Sequence, residues 1–133
     1  MEKFLKDVYQ FEGRLSKKKY FKLTEKIFYI VIISLIPCLA TEFFSEFVAV
    51  FELYMAIEMI LLIFVLVGMS GIIIRRLHDM DKTGWKILVP IIVGYLTEHF
   101  LIVWLLYHLY LSCWEGTDGA NKYGEKPPDD DES

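Results

Sequence analysis

Two long stretches of this chain lack basic residues. No Lys or Arg lies between Ile27 and Ile74, and none between Ile87 and Asn121. A soluble helix usually carries such residues every few positions on its wet face, so neither stretch reads as the surface of a water-soluble domain. Cysteine is scarce as well. Cys38 and Cys113 have no CxxC spacing, which removes the usual zinc and thioredoxin-type signatures. There is no HExxH pair, no glycine-rich phosphate loop and no nucleophile set beside a base, so the chain is not expected to be an enzyme or to need a cofactor. His99 and His108 fall on opposite faces of a straight helix, and no metal is expected. Nothing resembles a recognition helix or a base-stacking platform, which argues against nucleic acid as a partner.

What the chain does have is apolar residues. It is 133 residues long, one domain's worth, and is 55% hydrophobic and 16% aromatic with a mean hydropathy of +0.40. A soluble domain this small must keep much of its surface polar, so the excess points to lipid as solvent. The net charge of −4 is carried largely by Asp129-Asp130-Asp131-Glu132, while the N-terminal segment is basic.

The expected fold is therefore all-α and integral to a membrane, with about three transmembrane helices over about 23–44, 48–74 and 87–113. A single membrane domain would cover 1–127, followed by a disordered acidic tail over 128–133. Ahead of the spans, Phe4, Leu5, Val8 and Phe11 recur on one side of a helix. That pattern suits a short amphipathic helix lying in the headgroup layer or packed on the protein's own surface. Cys38-Leu39-Ala40 weakly resembles a signal-peptidase site, but the charged region before it is very long for a signal peptide, so the N-terminus is read as retained. Gly68, Ser70 and Gly71 would let another element approach the second helix closely, within the monomer or across a dimer.

The N-terminal segment and the Arg75–Lys86 loop hold twelve of the fourteen basic residues. Two crossings between them put both on one side, the cytoplasm by the positive-inside rule, in a bacterial inner membrane. A third crossing by Ile87–Cys113 would then put the tail outside, with Cys113 and Cys38 near the outer surface. The alternative is a bend near Pro90, Gly94 or Thr97-Glu98-His99. Its arms of about 13 residues would reach only about 20 Å, too short to cross a ~30 Å core.

Three patterned segments flank the apolar stretches. They are Phe11-Glu12-Gly13-Arg14-Leu15-Ser16-Lys17 followed by Tyr20-Phe21, then Arg75-Arg76-Leu77-His78-Asp79 followed by Thr83-Gly84-Trp85, then Gly116-Thr117-Asp118-Gly119-Ala120-Asn121-Lys122-Tyr123-Gly124 with Pro127 behind. In this order the chain, from Phe11 to Pro127, resembles the YhaH-like family of small bacterial inner-membrane proteins, catalogued as domain of unknown function 805. The resemblance implies a multi-pass membrane protein and no known reaction. The chain departs from that family at Phe21, where Trp is usual, at Lys86, where a second aromatic is usual, and at Asp81, often Gly.

Two sets of residues are candidates for function. Arg14, Arg75, Arg76, His78 and Asp79 could bind an anionic ligand or lipid headgroup on the cytoplasmic side, or could simply anchor the end of the second helix. Glu58, Glu98 and His99 are ionisable groups within apolar helices, where such groups are costly and often functional; Glu58 could meet Glu98 or His99. The first set suggests a structural or regulatory protein that binds anionic lipid or a membrane-protein partner. The second suggests a small proton- or ion-conducting homo-oligomer.

Overall fold

The computed structural model describes residues 1–40 and 48–128, with backbone alone for 38–40 and 48–49. The expected outer loop at Thr41–Phe47, the extension of the first span through Phe43-Phe44, the Cys38 side chain and the acidic Asp129-Asp130-Asp131-Glu132 run lie outside the described residues. The elements are α1 (Glu2–Val8), α2 (Lys17–Ala40), α3 (Val48–Asp79), a 3₁₀ turn (Gly84–Ile87), α4 (Leu88–Thr97) and α5 (Phe100–Cys113). Among the described residues the secondary structure is helical, apart from one isolated bridge between Asn121 and Gly124.

Helix α3 continues beyond its apolar part, which ends at Ile74, so that Arg75 to Asp79 form its last turns. It is long and apolar enough to cross a membrane, and only 22% of its most apolar stretch is buried. Leu53, Ile57, Ile60, Ile63 and Leu66 are exposed along it, as are Phe28, Ile33 and Ile36 along α2. A helix that is apolar all round with its side chains unburied suits lipid rather than a soluble core.

The packed core lies where the end of α3 meets the start of α2 and the end of α5. Leu15, Tyr20, Leu23, Ile72, Ile73, Leu77, Met80 and Leu111 are buried there. The chain after α1 closes on α3 at its small residues. A Cβ at Gly71 would stand 2.9 Å from the carbonyl oxygens of Val8 and Gln10, and one at Gly68 would overlap the Val8 side chain. Tyr9 Oη donates to the Phe64 carbonyl at 3.1 Å. The close approach that these glycines allow is thus made within the chain. Helix α1 buries Val8 and packs Phe4 against the core, while Leu5 and Phe11 stay exposed and Phe11 lies beyond its end.

The expectation of one continuous helix over 87–113 is overturned. Glu98 takes φ +59°, His99 leaves helical geometry, and α4 and α5 fold back on each other. The local cause is legible. Thr97 Oγ1 bonds back to the Val93 carbonyl at 2.8 Å, a side-chain competition that weakens helix ends. Gly94 leaves room for Phe100, whose Cα would lie 2.9 Å from a Cβ there. The arms have 10 and 14 residues, about 15 and 21 Å at 1.5 Å per residue. Tyr107, Tyr110 and Trp114 consequently lie beside the Lys82–Lys86 turn. Tyr107 Oη donates to the Lys86 carbonyl at 2.9 Å, and Lys82 Nζ donates to Tyr110 Oη while sitting over the Tyr110 ring.

Candidate functional site: a buried polar knot at the end of α3

The returning chain after α5 delivers Gly116–Gly124 to the last turn of α3, so the three patterned segments meet. The expectation that the third would lie apart from the other two is corrected by these contacts. Thr117 offers both its N–H (2.8 Å) and its hydroxyl (3.0 Å) to the Asp79 carbonyl, and Asn121 Nδ2 donates to the His78 carbonyl at 2.9 Å. A helix end leaves its last carbonyls without intrahelical partners; here a distant segment supplies the donors.

Asp79 is the centre of the knot. Its carboxylate accepts from Arg14 Nε at 3.1 Å and from Arg76 Nη1, and all three side chains are at least 95% buried. Arg14 also donates to the carbonyls of Thr117 (2.6 Å), Gly119 (2.6 Å) and Gly124 (3.3 Å). Arg76 donates to the carbonyls of Leu111 (2.8 Å), Leu15 (3.5 Å) and Trp114. Two buried guanidinium groups share one carboxylate, and six carbonyl oxygens offset the excess positive charge. Several of these belong to the C-terminal end of α5 and the chain just beyond, where the helix dipole is negative.

The other candidates stand apart from this triad. His78 stacks on Tyr123 with ring centroids 3.8 Å apart, and its Nδ1 lies 3.2 Å from the Gly13 carbonyl. Burial lowers the His78 pKa, Lys122 lowers it further, and the Gly13 bond partly offsets both. Arg75 turns toward α1, donating to the Asp7 carbonyl. At the rim, Lys17 holds the Glu115 carboxyl below its ordinary range, and Lys126 does the same for Asp118. Of the five residues expected to bind an anion, Arg14, Arg76 and Asp79 are thus engaged with one another and with backbone.

Glu58, Glu98 and His99 are not brought together. Among the described residues these three side chains have no hydrogen-bond or ion-pair partner. Polar contacts between the helices are made instead by Tyr20 Oη with His108 Nδ1, at 2.6 Å, and by Tyr54 Oη with the Ser34 carbonyl.

Sequence reasoning placed Gly116, Thr117, Gly119 and Asn121 in a motif without giving them roles. The signal was a glycine-rich string too regular for an unstructured tail. Gly116 is required because a Cβ there would lie 2.1 Å from Asp79 Oδ2.

Comparison with known proteins places the chain among bacterial membrane proteins. The chain is 29% identical over 131 residues to the inner membrane protein YhaI of Escherichia coli, matched in two strains, covering 92% of this chain and 90% of the relative. No solved structure matches. Residues 8–125 match the family model described as "Protein of unknown function (DUF805)", a match that takes in all three knot-forming segments, and the chain belongs to that family.

Proposed function

We propose that this is a bacterial inner-membrane protein with two full crossings, one by the α2 segment and one by α3, and with both ends in the cytoplasm. In this reading α4 and α5 form a re-entrant hairpin entering from the cytoplasmic side, since neither arm reaches across a ~30 Å core. The activity proposed is structural or regulatory: the rigid cytoplasmic end binds the anionic membrane surface. One observation carries the reading. The return of Gly116–Gly124 to Arg14 and Asp79 brings Lys122 and Lys126 to the side that holds the other twelve basic residues. The positive-inside rule then favours an even number of crossings.

The division of labour among the cations follows from their surroundings. Arg14 and Arg76 hold the fold together, so the surface contacts fall to lysines. Among the described residues, Lys3, Lys6, Lys22, Lys26 and Lys86 are exposed and have no carboxylate partner. Each contributes about 1 kcal/mol near an anionic surface, screened by salt.

Two measurements test the reading. In a variant lacking both native cysteines, Glu125→Cys should react with a membrane-impermeant thiol reagent only after spheroplasts are permeabilised. In nanodiscs at low salt, anionic lipid should raise thermal stability over neutral lipid, and Lys22→Gln with Lys26→Gln should reduce that gain. Labelling of intact spheroplasts would overturn the topology; equal stability in both lipids would overturn the surface binding.

A further inference from the structure

The three arginines of the patterned segments are not equivalent. Arg14 and Arg76 spend their guanidinium groups on Asp79 and on carbonyls. Arg75 is similarly buried, with 3% of its surface exposed, yet among the described residues it makes one hydrogen bond, from Nη2 to the Asp7 carbonyl. Its Nε is buried without an acceptor. Among the described residues no carboxylate forms an ion pair with it; the nearby Asp7 carboxylate, whose charge favours the Arg75 cation, is bound to Lys19 Nζ at 2.8 Å. A buried cation is normally paired and hydrogen-bonded, and an unsatisfied buried donor calls for an explanation.

Arg75 lines a cavity of about 240 Å³ between the end of α1, the Gly13–Ser16 turn and the start of α2. Lys19, Ser16, Gln10 and Asp7 also line it, the Asp7 carboxylate being held by Lys19, and Glu12 and Glu125 are exposed lining residues. The first turn of α2 carries no acidic residue, and Ser16 Oγ accepts the Lys19 N–H at 3.3 Å. The positive end of a 24-residue helix therefore meets an arginine whose Nε lacks an acceptor. Both features favour an oxyanion, and the edge of a guanidinium group matches two phosphate oxygens at once.

We propose that this cavity binds a phosphate oxyanion, with Arg75 as its principal ligand and Lys19 and the start of α2 in support. The phosphate comes from a phospholipid headgroup or from solution. This deepens the surface-binding reading and rests on it: exposed lysines hold the membrane diffusely, while Arg75 takes one phosphate in a defined site.

The test uses full-length protein in a maltoside detergent, which contains no phosphate. Inorganic phosphate and a short-chain phosphatidylglycerol are titrated separately, with thermal midpoint and equilibrium binding as readouts. Saturable binding near one per chain is expected, persisting at salt concentrations that screen surface charge. Arg75→Gln should weaken it at least tenfold and Arg75→Lys several-fold. Should the Arg75 variants fail to fold, Lys19→Gln serves: it frees the Asp7 carboxylate to compete for Arg75 and should weaken binding at least threefold. Lys22→Gln with Lys26→Gln should leave this binding within twofold of wild type, although it lowers the nanodisc effect, so the two readings fail separately. Binding of the lipid alone identifies a headgroup site, and binding of both ligands identifies a site for phosphate itself. No saturable binding of either ligand, or binding that Arg75→Gln and Lys19→Gln both leave unchanged, overturns the proposal.

Discussion

Replacing Gly116 with alanine adds one methyl group at the point where the third segment crosses the Asp79 carboxylate. The new carbon would stand 2.1 Å from Oδ2 and 2.7 Å from Cγ, so the carboxylate or the crossing chain must retreat by about 1 Å. Gly116 is not among the glycines with positive φ, so alanine is tolerated by the backbone and the clash is isolated. The retreat stretches the contacts from Arg14 and Arg76 to Asp79. Hydrogen bonds to charged groups contribute about 1.5–3 kcal/mol each; with partial relaxation the expected cost is about 3 kcal/mol. Gly119→Ala is the control: nothing lies within 4 Å of its Cβ, but its φ is +73°, and it should cost about 1 kcal/mol from the backbone alone. Asp79→Ala should itself be severe, about 3–5 kcal/mol, because two guanidinium groups lose their shared counter-ion. With the carboxylate gone, adding Gly116→Ala should cost less than about 1 kcal/mol, a coupling of about 2 kcal/mol between the sites. Equilibrium unfolding in mixed micelles, followed by circular dichroism, measures all four proteins. A Gly116→Ala protein within about 0.5 kcal/mol of wild type, or equal costs in both backgrounds, would refute the reasoning.

Three further outcomes are expected. His78 has a folded pKa below its ordinary 6.5, so its contribution is fully present above about pH 6.5 and is lost as pH falls through the folded value; His78→Phe, which keeps a ring against Tyr123, should flatten the stability loss between about pH 7 and 5. Asp81 has φ +54°, in the region that favours glycine, and only a 3.6 Å half-exposed pair to Lys122. Asp81→Gly should therefore shift stability by less than about 1 kcal/mol, while Asp81→Val should lose about 1–2 kcal/mol; equal effects in unfolding titrations would sink this account. Glu98 combines φ +59° with no hydrogen-bond or ion-pair partner among the described residues, so Glu98→Gly should gain about 1 kcal/mol, and a clear loss of thermal stability would show that its carboxylate is engaged.

Composition and basic-free stretches alone pointed to the apolar helices and to the basic segments that flank them, because each is a local property of the chain. The departure at Asp81 was also legible, and its meaning became plain once its φ was known: a helix-ending position that glycine occupies without strain. Tertiary structure decided two things. One is the break at Glu98–His99. Thr97-Glu98-His99 was visible as a weak point, but hydropathy over 87–113 does not distinguish one long helix from two short ones. Choosing between them depends on contacts such as Gly94 against Phe100 and on what the returning chain finds. The other is the role of the arginines. Arg14, Arg75 and Arg76 look alike in sequence, since charge and position say nothing of available acceptors. Only the folded chain brings Asp79, Leu111, Trp114 and Gly119 to two of them and leaves the third, Arg75, with a single carbonyl.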